Sequence, residues 1–384
     1  MFCAVCSTLA LILSACSSET AHRPYSPPAS PPSMPSLPAG PATLSLLPVR
    51  YADLPGWSSD GHADALAAVL RSCAKLTRRD ARLSLGISPQ FGRVGDWQQI
   101  CAAGYIVRPD DRSARRFFEE WFVPYLARNG LSEQGLFTGY YEPVLRGSWQ
   151  PTARHRVPIY RPPPGATGTV GRGVNLPSRA QIDAGALAGR GLELLWIDDP
   201  IDAFFLHIQG SGQVEMTDGT RVRIGFAGKN GHSYFPIGAE LIRRGEVTPD
   251  QMSMQAIRSW LVTHPQQAPS LMAMNGSYVF FRLIDGDGPI GAQGVALTPG
   301  RSIAVDPSFV PYGVPVWLDT TDPISAGAPL RRLVVAQDTG GAIKGPVRGD
   351  LFWGSDAMAA EGAGLMKQGG RWFLLLPRAA AATS

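Results

Sequence analysis

From Gly135 onwards the chain consists of short β-rich runs that Gly and Pro residues interrupt. One helical segment, from Arg179 to Leu187 with Ser178 as its N-cap, stands among these runs. Because the runs are short and irregularly spaced, we expect β-barrels rather than a parallel α/β sheet. Examples of the runs are Val157–Tyr160, Arg221–Gly225, Tyr278–Phe281 and Val314–Leu318.

The segment before Gly135 has helical patterns instead. Apolar residues recur at helical spacing between Asp64 and Arg78. A second helix can start at Asp110 or Asp111, run through Phe122 and end at Gly130, and Pro124 should kink it or cut it short. We expect both helices to pack against the body of the protein.

The N-terminus has the pattern of a lipoprotein signal. The apolar run Thr8–Leu13 is too short to span a bilayer, which takes about 20 residues. Small residues lead into Cys16, which predicts a signal peptide over 1–15, with cleavage before Cys16 and lipidation of its thiol. A plain secretory signal with an incidental Cys16 is the alternative.

Pro recurs every two to four residues from 16 to 48, which predicts an extended tether without a packed core. The formal charge of +4 is modest, and no segment resembles a nucleic-acid-binding module. Cys73 and Cys101 would remain as a pair in an oxidising compartment, so we expect a disulfide, with two buried thiols as the alternative.

Two aspartates follow a short strand-like run, Val334–Gln337, whose first three residues are apolar. Asp338 opens a Gly-rich loop and Asp350 lies just beyond that loop, so the pair could carry out acid/base chemistry on sugars. The alternative is a turn former and an ordinary loop acid. A P-loop does not fit, because Gly rather than Ser or Thr follows Lys344, and the His residues lack metal-ligand spacing.

A third aspartate, Asp306, lies upstream, and the chain from there to Gly364 resembles the 3D domain. Together with the segments listed next, this part of the chain resembles the membrane-bound lytic murein transglycosylase A family over Leu54 to Pro377. The segments are Phe137–Pro143, Phe204–Gly212, Gly228–His232, Tyr278–Arg282 and Ala304–Gly313.

This resemblance implies a mainly β fold with N-terminal helices. It implies a double-psi β-barrel formed by 49–145 and 277–378, with the 3D domain at about 296–366. A second β-domain, 146–276, would be inserted into the barrel, and the substrate groove would lie between the two. No cofactor or metal is implied.

The resemblance also implies a mechanism in which one acid suffices. Asp350 would protonate the glycosidic oxygen and then, as a base, deprotonate the substrate's C6 hydroxyl, giving 1,6-anhydroMurNAc ends. Asp338 would orient Asp350 or raise its pKa through like charge. Asp306 fits a turn role as well as a site role.

Other residues are candidates for binding the glycan. His207, Gln209 and Ser211 would alternate on one strand face towards the groove, and a structural His207 is the alternative. The tyrosines listed next could stack on sugars or belong to the barrel core. The remaining candidates are Thr138, Tyr140, Tyr141, Glu142, Lys229, Asn230, Gly340 and Lys344.

Three functions stay open: a lytic exotransglycosylase of peptidoglycan, a muramidase in which Asp338 activates water, and a non-catalytic wall-binding lipoprotein. Ser17 and Ser18 after Cys16 suggest the periplasmic face of the outer membrane by analogy with the family. The expected partners are peptidoglycan glycan strands and, through the anchor, the membrane. Cell-wall synthesis or division proteins are further candidates.

Overall fold

The computed structural model describes residues 42–164, 176–286 and 288–381. The predicted signal peptide, the lipidation site Cys16 and most of the predicted tether lie outside the described residues. The tether boundary at Pro48 is wrong, because Leu44–Pro48 forms strand β1, which pairs antiparallel with a later strand of the barrel sheet. The chain therefore joins the folded body at Leu44.

Both predicted N-terminal helices are confirmed, as α1 (His62–Leu76) and α3 (Asp111–Trp121). A third helix, α2 (Val94–Gly104), lies between them and was not predicted. Asp110 caps α3 by accepting a hydrogen bond from the Ser113 backbone N–H, and the helix stops before β2 (Phe122–Asn129), where Pro124 lies. The predicted disulfide is confirmed: Cys73 of α1 is bonded to Cys101 of α2.

After β3 (Gly135–Tyr140) the chain enters a second domain with a six-stranded sheet, in the order β5-β6-β4-β7-β8-β9. Its strands are β4 (Val144–Ser148), β5 (Val157–Tyr160), β6 (Glu193–Ile197), β7 (Ser211–Met216), β8 (Arg221–Lys229) and β9 (Val279–Ile284). Its helices are α4 (Arg179–Asp183), α5 (Pro200–Gln209), α6 (Ile237–Arg243), α7 (Met254–Thr263) and α8 (Ala268–Ala273).

The second domain differs from the prediction in two ways. It contains several helices where one was expected, and α4 ends at Asp183 rather than Leu187. The strand β9, which we assigned to the barrel, pairs with β8, so the sheet of the second domain extends to Ile284. A run of apolar residues alone does not say which of two sheets it joins.

The remaining elements complete a barrel. They are β10 (Ser302–Val305), β11 (Pro315–Thr321), β12 (Pro329–Asp338), β13 (Arg348–Phe352), α9 (Ala357–Leu365), β14 (Lys367–Pro377) and α10 (Arg378–Ala381). Six strands follow one another in the order β14-β11-β12-β10-β13-β3, and pairing of β14 with β3 closes them. The predicted mainly β class with a closed barrel and N-terminal helices is confirmed.

The pairing β10–β12 and the pairing β13–β3 are parallel, and the other barrel pairs are antiparallel. Buried aromatic side chains, such as Phe137 against Trp372 with ring centroids 5.5 Å apart, fill the core. Dense packing of this kind leaves the strands little freedom to shift, so residues at their ends are held in place. Among the described residues, no helix has the length and apolar composition needed to cross a membrane.

Candidate active site

The two predicted acids lie on strands that flank β10. Ala304 of β10 pairs with Asp350 on one side and with Asp338 on the other, after an irregularity between Ile303 and Ala304. Strands in a sheet lie about 4.8 Å apart, so the two aspartate backbones are separated by roughly 10 Å. Directly paired residues point to the same face, and both aspartates are partly exposed. The barrel therefore brings the two carboxylates to one site.

A short chain of hydrogen bonds from Thr138 and Arg348 holds Asp350 in place. The Thr138 hydroxyl donates to Oδ1 of Asp350, and Nη2 of Arg348 donates to the Thr138 hydroxyl at 2.9 Å. Burial raises the pKa of the Asp350 carboxyl, against the opposing effects of the Arg348 charge and the Thr138 hydrogen bond. A carboxyl with a raised pKa keeps its proton closer to neutral pH, as a general acid requires.

Arg348 was not among the predicted site residues. It lies two residues before Asp350 on the same strand, and strand periodicity places such residues on the same face. Burial lowers the pKa of the Arg348 guanidinium, and the Asp350 charge opposes that effect. Alternation along the strand was the signal that could have found it.

Asp338 has both carboxylate oxygens occupied by protein donors. Its Oδ1 accepts from the backbone N–H groups of Ala292 (2.8 Å) and Thr339 (2.9 Å), and its Oδ2 accepts from the Tyr140 hydroxyl (2.8 Å). Burial raises the pKa of Asp338 to about 6, although these hydrogen bonds oppose it, and the nearby Asp350 adds to the rise. We expected Asp338 to orient Asp350 or to raise its pKa, and burial is the largest cause of the raised pKa of Asp350.

The tyrosines of the Phe137–Pro143 segment divide between core and surface. Tyr140 is buried, packs against Phe352 with ring centroids 5.3 Å apart, and uses its hydroxyl to hold Asp338. Tyr141 is partly exposed and lines a cavity of about 320 Å³ together with Asp202 and Arg258. Glu142 is buried and fully engaged, because Arg223 and Gln213 each contact one of its oxygens at 2.8 Å. Glu142 thus lies in the interior of the protein rather than in an open groove.

The prediction that His207, Gln209 and Ser211 alternate on one strand is wrong. The first two lie on α5, which Asp199 caps and Gly210 ends in a left-handed conformation, and only Ser211 begins a strand. The run of aromatic and branched apolar residues resembled a strand, but it is part of a helix that is buried on all sides over Ala203–His207. His207 is buried, 4.2 Å from the ring centroid of Tyr278.

The candidate site residues that lie in or beside loops differ in burial and in hydrogen bonding. Asn230 is buried and its side-chain amide donates to two backbone carbonyls, so it supports the loop internally. Lys229 and Gly340 are partly exposed and Lys344 is exposed. Asp306 is buried, and its carboxylate accepts hydrogen bonds from Ser308 and from the Gly345 N–H, so it fixes the loop that carries Lys344. Burial would raise the pKa of Asp306, but these bonds lower it.

One aromatic residue of the second domain was not predicted. Tyr234 is 40% exposed and lies in the loop after β8. Burial raises the pKa of its hydroxyl, and the negative charge of Asp350 contributes to that rise. No spacing in the sequence indicated this electrostatic link between Tyr234 and Asp350. Within the described ranges, no cluster of three His, Cys, Asp or Glu residues could hold a metal ion.

Comparison with known proteins identifies the family. The MltA specific insert domain matches residues 136–282, and the 3D domain matches residues 301–376. Membrane-bound lytic murein transglycosylase A of Escherichia coli (strain K12) is 40% identical over 275 residues, which are 69% of this chain and 72% of that protein.

Solved structures of members of this family resemble the fold of this chain. The membrane-bound lytic murein transglycosylase from Agrobacterium tumefaciens superimposes with a TM-score of 0.79 at 35% identity, covering 88% of this chain and 99% of that chain. E. coli MltA with bound chitohexaose gives a TM-score of 0.65 at 31% identity, covering 88% and 95%. The chain therefore belongs to the membrane-bound lytic murein transglycosylase A family.

Proposed function

We propose that the protein is a lytic transglycosylase that cleaves the β-1,4 bond between MurNAc and GlcNAc in peptidoglycan without water. Asp350 first acts as the general acid, donating its proton to the glycosidic oxygen as the MurNAc ring becomes oxocarbenium-like. Asp350, now a carboxylate, then takes the proton of the C6 hydroxyl of the same sugar. That oxygen attacks C1, and the product carries a 1,6-anhydro ring.

The two aspartates differ in how many of their carboxylate oxygens already accept hydrogen bonds from the protein, and this difference carries the proposal. Asp338 accepts three hydrogen bonds from the protein across its two oxygens. Among the described residues, Asp350 accepts at Oδ1 alone, so its Oδ2 is the oxygen available to substrate. A hydrolase needs a second carboxylate that is available to activate water. Asp338 is poorly suited to that task, which disfavours the muramidase alternative.

Several of the residues that the sequence offered for glycan binding remain accessible. Tyr141, Lys229, Gly340 and Lys344 keep surface available for contacts with sugars, and Tyr234 is an exposed aromatic residue. A relative binds chitohexaose, a GlcNAc polymer that shares the β-1,4 linkage of murein. We therefore expect several sugar units to occupy the groove on either side of Asp350.

The proposal is tested with Asp350→Asn on purified murein. We expect this variant to fold, because Asn is isosteric and can still accept from Thr138, and to lose at least about a thousandfold in cleavage rate. Separation of the products by chromatography should show anhydro ends for the wild type. Near wild-type turnover by a folded Asp350→Asn protein would rule out the assignment, and no cleavage by the wild type would favour the non-catalytic alternative.

We further propose that lipidation of Cys16 anchors the enzyme to the periplasmic face of the outer membrane. The Pro-rich segment after it would let the catalytic domains reach the wall and any synthesis or division proteins there. Cys16→Ser should release a soluble enzyme that keeps its activity. Mass spectrometry that finds an unlipidated mature N-terminus at another position would contradict the anchor.

A further inference from the structure

A chain of buried polar side chains connects α1 with the end of β12, and the proposed reaction does not use these side chains. Ser72 of α1, Ser302 of β10 and Gln337 of β12 are all fully buried. Nε2 of Gln337 donates to the Ser72 hydroxyl and to the Ala68 carbonyl, both at 2.8 Å. Its Oε1 accepts from the Ser302 hydroxyl at 2.6 Å. Both ends of the Gln337 amide are thus bonded within the protein, and Gln337 directly precedes Asp338.

The Ser72 hydroxyl extends this chain to the connection from β9 to β10, residues 285–301, by which the polypeptide returns from the second domain to the barrel. It donates to Oε1 of Gln293, in that connection, at 2.7 Å. The backbone N–H of Gln293 donates to the Gln337 carbonyl at 3.0 Å. Two hydrogen bonds therefore fasten Gln293, one to α1 and one to β12.

The residue before Gln293 donates to the candidate active site. Ala292 is exposed, and its backbone N–H donates to Oδ1 of Asp338 at 2.8 Å. The other donors to Asp338 are its own neighbour Thr339 and Tyr140 of β3. Exposed connections are generally more mobile than strands. The Ala292 bond is therefore the one that depends most on how its surroundings are fastened.

The backbone of the connection approaches β12 closely at Gly291. A Cβ added there would lie 2.5 Å from the Gln337 carbonyl oxygen and 3.3 Å from Cβ of Asp338. Any side chain at this position would push the connection away from the strand. The absence of a side chain at Gly291 thus allows the approach that brings the Ala292 N–H to Asp338.

We propose that Ser72 and Gln293 are positioning residues of the active site, which hold the Ala292 N–H on Asp338. Serine is a weaker helix former than alanine, and its buried hydroxyl costs free energy unless it is bonded. A buried polar network whose members are bonded to one another fixes a single arrangement. Resting on the proposed function, the two residues act on the reaction through Asp338 and do not touch the substrate.

The protonation of Asp338 reports whether this contact is made. Burial raises its pKa most, and the hydrogen bond from Ala292 is the largest opposing effect. Three other ionisable groups act on Asp338, namely Asp350, Tyr140 and Tyr312. Among the described residues, none of these three is hydrogen-bonded to Ser72 or Gln293. A change at either of those two positions therefore reaches Asp338 through the Ala292 bond, and weakening that bond should raise the pKa of Asp338.

An NMR titration of the full-length protein tests the proposal. The aspartate carboxyl carbons are labelled with carbon-13, and the signal that is missing from Asp338→Asn identifies Asp338. We expect Ser72→Ala to raise the pKa of Asp338 by about half a unit, part of the shift that full loss of a hydrogen bond to a charged group produces. Gln293→Leu should raise it similarly, and its half-buried position guards against misfolding of the first variant. Because both changes remove one contact, the double variant should shift the pKa no further than the larger single change.

Thr320→Val is the matched control. It removes a buried hydroxyl that donates to the Gly369 carbonyl at 2.8 Å. Thr320 pairs with Leu330, at the opposite end of β12 from Asp338, roughly 25 Å away along the strand. The pKa of Asp338 should therefore stay unchanged in this variant. An unchanged Asp338 titration in folded Ser72→Ala and Gln293→Leu would overturn the proposal, and so would an equal shift in Thr320→Val.

The titration does not depend on murein cleavage. If the wild type cleaves no murein, the proposed function fails, while the Asp338 titration still decides whether Ser72 and Gln293 hold the Ala292 bond. If the wild type cleaves murein, both variants should lower kcat and leave KM unchanged, because neither residue touches the substrate. A change confined to KM would overturn their role in the reaction.

Discussion

Thr138→Val tests how the barrel tunes Asp350, the proposed general acid. The wild-type hydroxyl donates to Oδ1 of Asp350 and itself accepts from Nη2 of Arg348. Valine has nearly the same shape but cannot donate. The ionised form of Asp350 therefore loses one hydrogen bond, while the protonated form loses little.

The size of the effect follows from that bond. A hydrogen bond to a charged group contributes about 1.5–3 kcal/mol, and one pKa unit corresponds to about 1.4 kcal/mol. Arg348 stays in place, because it also donates to the backbone carbonyls of Leu136 and Gly349. We expect the pKa of Asp350 to rise by about one unit.

The pH–rate profile reports this change. The first step of the proposed reaction needs protonated Asp350, so the rate should fall as the pH rises through the pKa of Asp350. A raised pKa should move that alkaline limb to higher pH. Release of soluble fragments from purified murein, followed between pH 4 and 9, measures the limb. Thr138→Ser keeps the hydroxyl and should superimpose on the wild type. A Thr138→Val profile that also superimposes would refute the reasoning.

Two further predictions concern Asp338 and Glu142. Asp338→Asn should lower activity less than Asp350→Asn does, because it acts through position, and it should flatten the dependence of stability on pH. The folded protein holds the Asp338 proton up to a pKa of about 6, so the stability of the wild type falls as the pH rises from about 4 through 6. Thermal unfolding of both proteins across that pH window checks this. An Asp338→Asn protein whose stability depends on pH as steeply as that of the wild type would contradict it. Glu142→Gln leaves Arg223 of a buried pair without its charge partner and should cost about 3–5 kcal/mol of stability. Chemical denaturation measures that loss, and an unchanged midpoint would place Glu142 outside the structural core.

The sequence predicted the two acids because strand, glycine loop and aspartate are adjacent in it. Their neighbours Thr138 and Tyr140 come from a distant segment, and the family motif, rather than spacing, brought them in. Arg348 could have been found by strand alternation.

Where a prediction failed, the local sequence pattern was compatible with two different structures. The segment around His207 is apolar enough for a strand, and only the Asp199 cap, Pro200 and Gly210 show that it is a helix. The β9 strand was recognised, but its assignment to the second sheet depends on β8, whose pairing no local pattern encodes. Local conformation was more predictable than the partner of each element.

The central claim is that the nucleophile is the substrate's own C6 hydroxyl and that water takes no part. Digestion of purified murein in water enriched in heavy oxygen tests it directly by mass spectrometry. We predict that the new ends are 1,6-anhydromuramic acid and carry no label. An initial product that is one water heavier, labelled at a new reducing end, would contradict the claim and make the enzyme a muramidase.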